Sequence, residues 1–256
     1  MIRGIIFDLG NTLMYLDCEY EPLSSSGAQA MVQYLNGRGY PTPEGFAHDF
    51  IEARIQGRAL GNQTNIEYTA EQALVDTLTR HGICYIPDGV ISRAIETYFE
   101  LEITHWFAYS DAPATLEQLK ARGLRLAVMS NATDHGFVRR IAQQAGIAEF
   151  FDPLISSAGI SHRKPDPRAF QPILEAWQIP SREIVLVGDS PSYDILGAHR
   201  AGMRAVLIEE RWLEPLVPHG EFEDAHLMQP DATIHQLAEL PDVLAAWNDE
   251  REHNYG

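Results

Sequence analysis

The chain has 256 residues, 45% of them apolar and 21% charged, with a formal charge of −17 at pH 7. That length carries one large or two modest domains, and a charge of that sign repels a phosphate backbone, which excludes nucleic acid as a general partner. No apolar run approaches the roughly 20 residues that span a bilayer. No basic segment followed by an apolar one opens the sequence, and Cys18 and Cys84 lack the spacing of a disulfide framework or a zinc site, so a cytoplasmic protein away from membranes is expected.

Residues 2–8 form an apolar β-type run, Ile5-Ile6-Phe7, that ends on a carboxylate, Asp8; a Gly-Asn-Thr turn follows. From residue 17 to about residue 109 no further β run is evident. Apolar residues at helical spacing predict a helix over 28–39 and another opened by Thr42-Pro43-Glu44, with Phe46, Phe50, Ile51 and Ile55 on its buried face. Two more are predicted over 69–81 and 88–106. These helices suffice for a small bundle with its own core.

Strand and helix then alternate. The pattern predicts a helix over 111–122, a strand over 124–130, a helix over 134–145, a short strand over 154–156 and a helix over 167–177. It continues with a strand over 184–188, a helix over 192–201, strands over 205–208 and 232–234, and a helix over 237–247. Such alternation points to an α/β fold with a doubly wound parallel sheet. The core then comprises residues 1–15 and 108–256, and residues 16–107 form an inserted helical domain. Residues 211–230 read as a long irregular segment without an assigned role. The polar tail after Asn248 is expected to fray.

The polar residues gather at strand exits. The first strand ends at Asp8, the second at Ser130-Asn131, and the strand at 184–188 runs into Asp189 within GDSPSYD. In an open parallel sheet these ends lie side by side above one crevice. The loop His162-Arg163-Lys164-Pro165-Asp166 leads into a helix of the same frame and brings a cation there; Lys164 is one of only two lysines. Taken singly, Asp8 reads as a turn residue, Ser130-Asn131 and Asp189-Ser190 as helix caps, and Lys164 as a surface charge. Their occurrence together, each at a strand exit or a neighbouring loop, favours a common site. Asp8, Asp189 and Asp194 repel unless a positive charge lies between them, and a few hard oxygen ligands suit Mg²⁺. The Ser130 hydroxyl, helix-start N–H groups and Lys164 add a cradle for phosphate, within which a carboxylate can attack phosphorus.

FDLGNTL, MSN, RKPDP and GDSPSYD resemble, in order, the four motifs of the haloacid dehalogenase superfamily. The resemblance covers roughly residues 1–15 and 108–210, and the helical insert resembles the family's C1 cap, the subfamily I arrangement. It implies a Rossmann-like core and a hydrolase. In it Asp8 is the nucleophile and a Mg²⁺ ligand, and Ser130 binds phosphate beside Asn131. Lys164 stabilises nucleophile and phosphate. Asp189 is a direct metal ligand, and Asp194 orients metal water or the lysine. Gly10 departs from the family's phosphatases, which carry a second Asp there to protonate the leaving group and then activate water. Glycine keeps the backbone carbonyl that the family offers to the metal, but supplies no acid. That help is typically worth about 10²–10⁴ in rate.

The expected activity is therefore Mg²⁺-dependent hydrolysis of a small phosphorylated metabolite through an aspartyl-phosphate. Three explanations accommodate Gly10: a substrate with a good leaving group, an acid lent by the insert, or slow turnover by a chain that mainly binds. His48, Glu52, His105 and Tyr109 are the candidates for a lent acid. A 2-haloacid dehalogenase-type hydrolase is the alternative. Those enzymes also lack the second Asp, but the family's dehalogenases need no Mg²⁺ and lack the metal-binding Asp of the fourth motif, which this chain keeps at Asp189. Phosphonoacetaldehyde hydrolases need a cap lysine, and the insert has none; β-phosphoglucomutases need the second Asp. Arg54, Arg58 and Asn62 are candidates to contact substrate, although solvent-exposed arginines on a helix face are the commoner case.

Overall fold

In the computed structural model, which describes residues 1–209 and 224–254, the chain opens with β1 (Gly4–Phe7) and β2 (Met14–Leu16). Four helices follow, α1 (Tyr20–Gly37), α2 (Phe46–Thr64), α3 (Ala70–Arg80) and α4 (Asp88–Ile103), and then β3 (Trp106–Ala108). The frame resumes with α5 (Ala112–Ala121), β4 (Arg125–Ser130), α6 (His135–Gln144), β5 (Leu154–Ser156) and the one-turn α7 (Ser157–Ile160). It ends with α8 (Gln171–Trp177), β6 (Ile184–Gly188), α9 (Leu196–Arg200), β7 (Arg204–Ile208), β8 (Ala232–Ile234) and α10 (Leu240–Asn254).

Six strands form one parallel sheet in the order β5-β4-β1-β6-β7-β8. The opening apolar run is therefore central. Phe7 pairs with Val128 on one side and Val187 on the other. This register brings the exits at Asp8, Ser130 and Asp189 to one edge, as doubly wound sheets do. Strand residues alternate between two faces. Ile5, Phe7, Val128, Val185 and Val187 pack in one cluster with residues of α5, α6 and α10, while Ile6, Ala127, Met129 and Leu186 pack with Phe170, Ile173 and Trp177. Burial on both faces explains why these strands read as continuous apolar runs.

Three boundaries differ from expectation. β2 and β3 form a two-stranded antiparallel ribbon, Met14 opposite Ala108 and Leu16 opposite Trp106, so Trp106 ends the insert as a strand residue and not as a helical one. Each strand is three residues long and finds its partner far along the chain, so no local period announces it. α1 starts at Tyr20, well before residue 28. Pro22 lies in its first turn, where proline is tolerated, and buried Leu23, Ser24 and Gly27 show that this polar-looking stretch packs. α10 continues to Asn254, since neither Gly nor Pro interrupts residues 248–254. Most of the irregular segment 211–230 lies outside the described residues.

The four helices of the insert pack mainly as α1 on α4 and α2 on α3, with Met31, Leu35, Phe50, Leu74 and Phe99 among the buried residues. The insert lies on the core through several contacts. Phe99 of α4 stacks on Phe137 of α6 with ring centroids 4.7 Å apart. The Ala70 amide donates to the Thr133 carbonyl (2.9 Å). Glu67 and Arg163 form a buried ion pair at 2.5 Å. No helix among the described residues is long and apolar enough to cross a membrane.

Candidate active site

β1 delivers Asp8 to the sheet edge, and the next residues turn back at once. The Leu13 and Met14 amides donate to the Leu9 carbonyl (both 2.9 Å), and the Asn11 amide donates to the Met14 carbonyl (2.7 Å) with Asn11 at φ 56°. This turn buries Thr12, whose hydroxyl donates to Asp189 Oδ1 at 3.4 Å. β6 supplies Asp189. After it, Ser190 caps a single wide turn by accepting from the Tyr193 amide (3.2 Å). Asp194 folds back inside that turn and accepts from the Ser190 amide at 3.0 Å. A Cβ on Gly188 would stand 2.2 Å from the Asp194 carboxyl carbon, so only glycine lets the carboxylate return beneath the strand end.

Lys164 enters from the side, almost wholly buried. Its Nζ donates to Asp8 Oδ1 (2.5 Å) and Asp194 Oδ1 (2.6 Å). Asn131 holds this lysine by its backbone: Oδ1 accepts from the Lys164 amide (2.8 Å) and Nδ2 donates to the Lys164 carbonyl (2.9 Å). The Asn131 side chain, expected at the phosphate, is thus spent on fixing the lysine. Ser130 is buried at the end of β4 and faces the same cavity.

Oxygen atoms of Asp8, Asp189 and Asp194 lie within 4.8 Å of one another, and all three residues are buried. Burial raises the Asp189 carboxyl to about 8, helped by repulsion from Asp8 and Asp194. Burial also raises Asp8, to about 6; Lys164 opposes the shift and Asp194 adds to it. Lys164 resists the lowering that burial imposes, because Asp194 and Asp8 hold its ammonium charged. With all three ionised, the carboxylates exceed the one ammonium by two negative charges, and without a cation that excess is relieved by holding a proton. A hard divalent cation on carboxylate oxygens fits that deficit and donor set. Asp194 is already committed to Lys164 and Ser190, so Asp8 and Asp189 are the ligands best placed to hold it.

A family model for haloacid dehalogenase-like hydrolases matches residues 2–202. The chain belongs to this family. It is 32% identical over 250 residues to a phosphoglycolate phosphatase of Vibrio parahaemolyticus, covering 95% of this chain and 96% of that protein. It is also 32% identical over 149 residues to a phosphoserine phosphatase of Thermus thermophilus, which is 58% of this chain and only 56% of that enzyme's length. Among solved structures, a 2-haloacid dehalogenase from Pseudomonas syringae superimposes with a TM-score of 0.65 at 27% identity, covering 96% of this chain and 100% of that one. The protein is a hydrolase of the haloacid dehalogenase-like family, with the parallel α/β core and helical insert expected of it.

The family's crevice is here a cavity of about 390 Å³ between core and insert. All seven motif positions expected at the site, Asp8, Gly10, Ser130, Asn131, Lys164, Asp189 and Asp194, line it. Gly10 needs no special backbone: a Cβ there would make only ordinary contact, 3.4 Å from Trp106 Cη2. The insert contributes Arg54, Arg58 and Asn62, as anticipated. Arg54 is not the solvated arginine that helix faces usually carry. It lies over the Tyr98 ring at 4.6 Å and donates to Tyr20 Oη (2.9 Å), Tyr98 Oη and Thr133 Oγ1 (3.1 Å).

None of the four candidates for a lent acid lines the cavity. His105 instead pairs with Asp17 (2.8 Å) beside the ribbon. The insert's acid on the cavity wall is Glu102, which the sequence reading above does not single out. The signal was present: α4 buries Ile91, Ile95, Phe99 and Glu102, so a carboxylate interrupts an apolar helical stripe. Trp106 and Tyr20, also on the wall, left no such mark.

Proposed function

We propose that this hydrolase is a Mg²⁺-dependent phosphatase of a small phosphorylated metabolite, acting through an aspartyl-phosphate on Asp8. The observation that carries the reading is the charge deficit: three buried carboxylates around a single buried ammonium. A centre that only displaced halide from carbon would need one nucleophilic carboxylate, and Asp189 and Asp194 would then be a standing electrostatic cost. The full-length similarity to a phosphoglycolate phosphatase supports the same reading.

Asp8 and Asp189, with the Gly10 carbonyl, would hold the cation. When bound it neutralises charge on the phosphoryl oxygens and orients the phosphate toward Asp8. The protein does the rest. Lys164, fixed between Asp8 and Asp194, keeps the Asp8 carboxylate aimed and stabilises charge on the phosphoryl group. Ser130 offers a hydroxyl to a phosphoryl oxygen. An Asp8 oxygen attacks phosphorus, the bond to the leaving oxygen breaks, and water then attacks the same phosphorus and returns Asp8. The helical insert acts as a cap: its Phe99 and Trp106, with Phe137 of the core, give the cavity an apolar wall, and its Arg54 and Arg58 a cationic one, so it selects the organic part of the substrate.

The test is phosphate release from a panel of phosphomonoesters, acyl phosphates and polyphosphates, with Mg²⁺ or with chelator. Activity is expected only with Mg²⁺, and Asp8→Asn is expected to abolish it. No release from any compound, alongside chloride release from 2-chloropropionate, would establish the dehalogenase alternative.

A further inference from the structure

Gly10 leaves the leaving group without its usual acid, and the cavity wall shows what stands in the space. Trp106 packs where a side chain at position 10 would begin, 3.4 Å from that Cβ position. The same indole donates from Nε1 to Glu102 Oε1 at 3.2 Å. Glu102 is only 6% exposed, belongs to α4 of the cap and lines the same cavity as Asp8 and Gly10. In-line displacement sends the leaving oxygen away from the nucleophile. Asp8 attacks from the core, so the leaving oxygen faces the cap, where Glu102 stands.

We propose that Glu102 is the general acid and base of this enzyme, taking the role that Gly10 cannot fill. The inference rests on the phosphatase reading above. In the first step an Asp8 oxygen forms its bond to phosphorus, the bond to the leaving oxygen breaks, and the Glu102 proton passes to that oxygen. In the second step the Glu102 carboxylate takes a proton from water as the water oxygen bonds to phosphorus and the Asp8–phosphorus bond breaks. Glu102 ends protonated, and the products are phosphate and alcohol. Burial raises the Glu102 carboxyl above its ordinary value, opposed by the Trp106 hydrogen bond and by the Arg54 and Arg58 charges of α2, the direction that favours a proton donor. Cys18, in the link between β2 and α1, is the other titratable group that senses it. Trp106 is the positioning residue that aims Glu102.

The experiment compares Glu102→Gln with wild type on an alkyl phosphate and on p-nitrophenyl phosphate, whose leaving group needs little protonation. Glutamine keeps an acceptor for Trp106. The variant is expected to lose about 10²-fold or more in kcat on the alkyl phosphate. On p-nitrophenyl phosphate it is expected to release a burst of nitrophenolate, followed by slow turnover as the aspartyl-phosphate accumulates. Gly10→Asp, whose Cβ meets Trp106 at 3.4 Å, should restore alkyl turnover in the Glu102→Gln background and add less than about threefold to wild type. Equal losses on both substrates without a burst, no loss, or no restoration by Gly10→Asp would overturn the assignment. So would a large gain from Gly10→Asp alone, a readout that stands even where Glu102→Gln fails to fold. Absence of Mg²⁺- and Asp8-dependent phosphate release in the wild type would instead overturn the phosphatase reading itself.

Discussion

Asp189 sets the electrostatic character of the centre. Its folded-state value of about 8 lies far above the ordinary 3.8, because burial and two neighbouring carboxylates disfavour its charge. Between those limits the folded chain retains a proton that the unfolded chain has released. Stability of the metal-free protein therefore falls as pH rises through that window, and Asp8, raised to about 6, adds to the fall in its lower part. In chelator, the melting temperature is expected to be lower at about pH 8 than at about pH 5, and Mg²⁺ should raise it more at the higher pH. Asp189→Asn should reverse the usual sign of an active-site substitution: a higher melting temperature in chelator, a flatter pH dependence and loss of the Mg²⁺ response. Removing the lysine should do the opposite. Lys164→Met leaves Asp8 and Asp194 buried without their partner, and denaturant unfolding should show a loss of about 3–5 kcal/mol.

At the scale of elements, the cap is tied to the core beside Lys164. Arg163 Nη1 meets Glu67 Oε2 at 2.5 Å, Arg163 Nη2 donates to Asn62 Oδ1 at 3.1 Å, and the Ser157 hydroxyl also donates to Glu67. Glu67→Ala should cost about 3–5 kcal/mol in an unfolding titration, since it strands a buried guanidinium. Within the cap, α1 approaches α4 closely at Gly27, where a Cβ would stand 2.2 Å from the Tyr98 carbonyl oxygen. Gly27→Ala should destabilise by about 1–3 kcal/mol through forced separation of the two helices. Neither device was legible in the sequence, because each joins residues distant along the chain. The sheet was legible, because Ile5-Ile6-Phe7 and IVLVG are buried on both faces and ended by turns. The motif residues were legible because each follows such a strand or its neighbouring loop. The ribbon of β2 and β3 was not, being three residues per strand and entirely non-local. Glu102 lay between these cases: visible as a charge on the buried stripe of α4, but without meaning until Trp106 and Gly10 were seen beside it.

For the whole molecule, a formal charge of −17 surrounds a site that we propose takes an anion. The conflict is local, and the site resolves it with Lys164, the cation its carboxylates demand, and the Arg54 and Arg58 wall of the cap. In the proposed reading the sheet edge carries the phosphoryl chemistry, and the cap, built from a separate stretch of chain, selects the substrate. The central claim, phosphoryl transfer to Asp8 at a divalent-cation centre, is tested most directly by acid-quenching the enzyme during turnover and mapping its peptides by mass. The account predicts the added mass of one phosphoryl group on the peptide bearing Asp8, present with Mg²⁺ and lost with chelator. Phosphate release that persists in chelator and in Asp8→Asn, or a phosphoryl group on another residue, would contradict it.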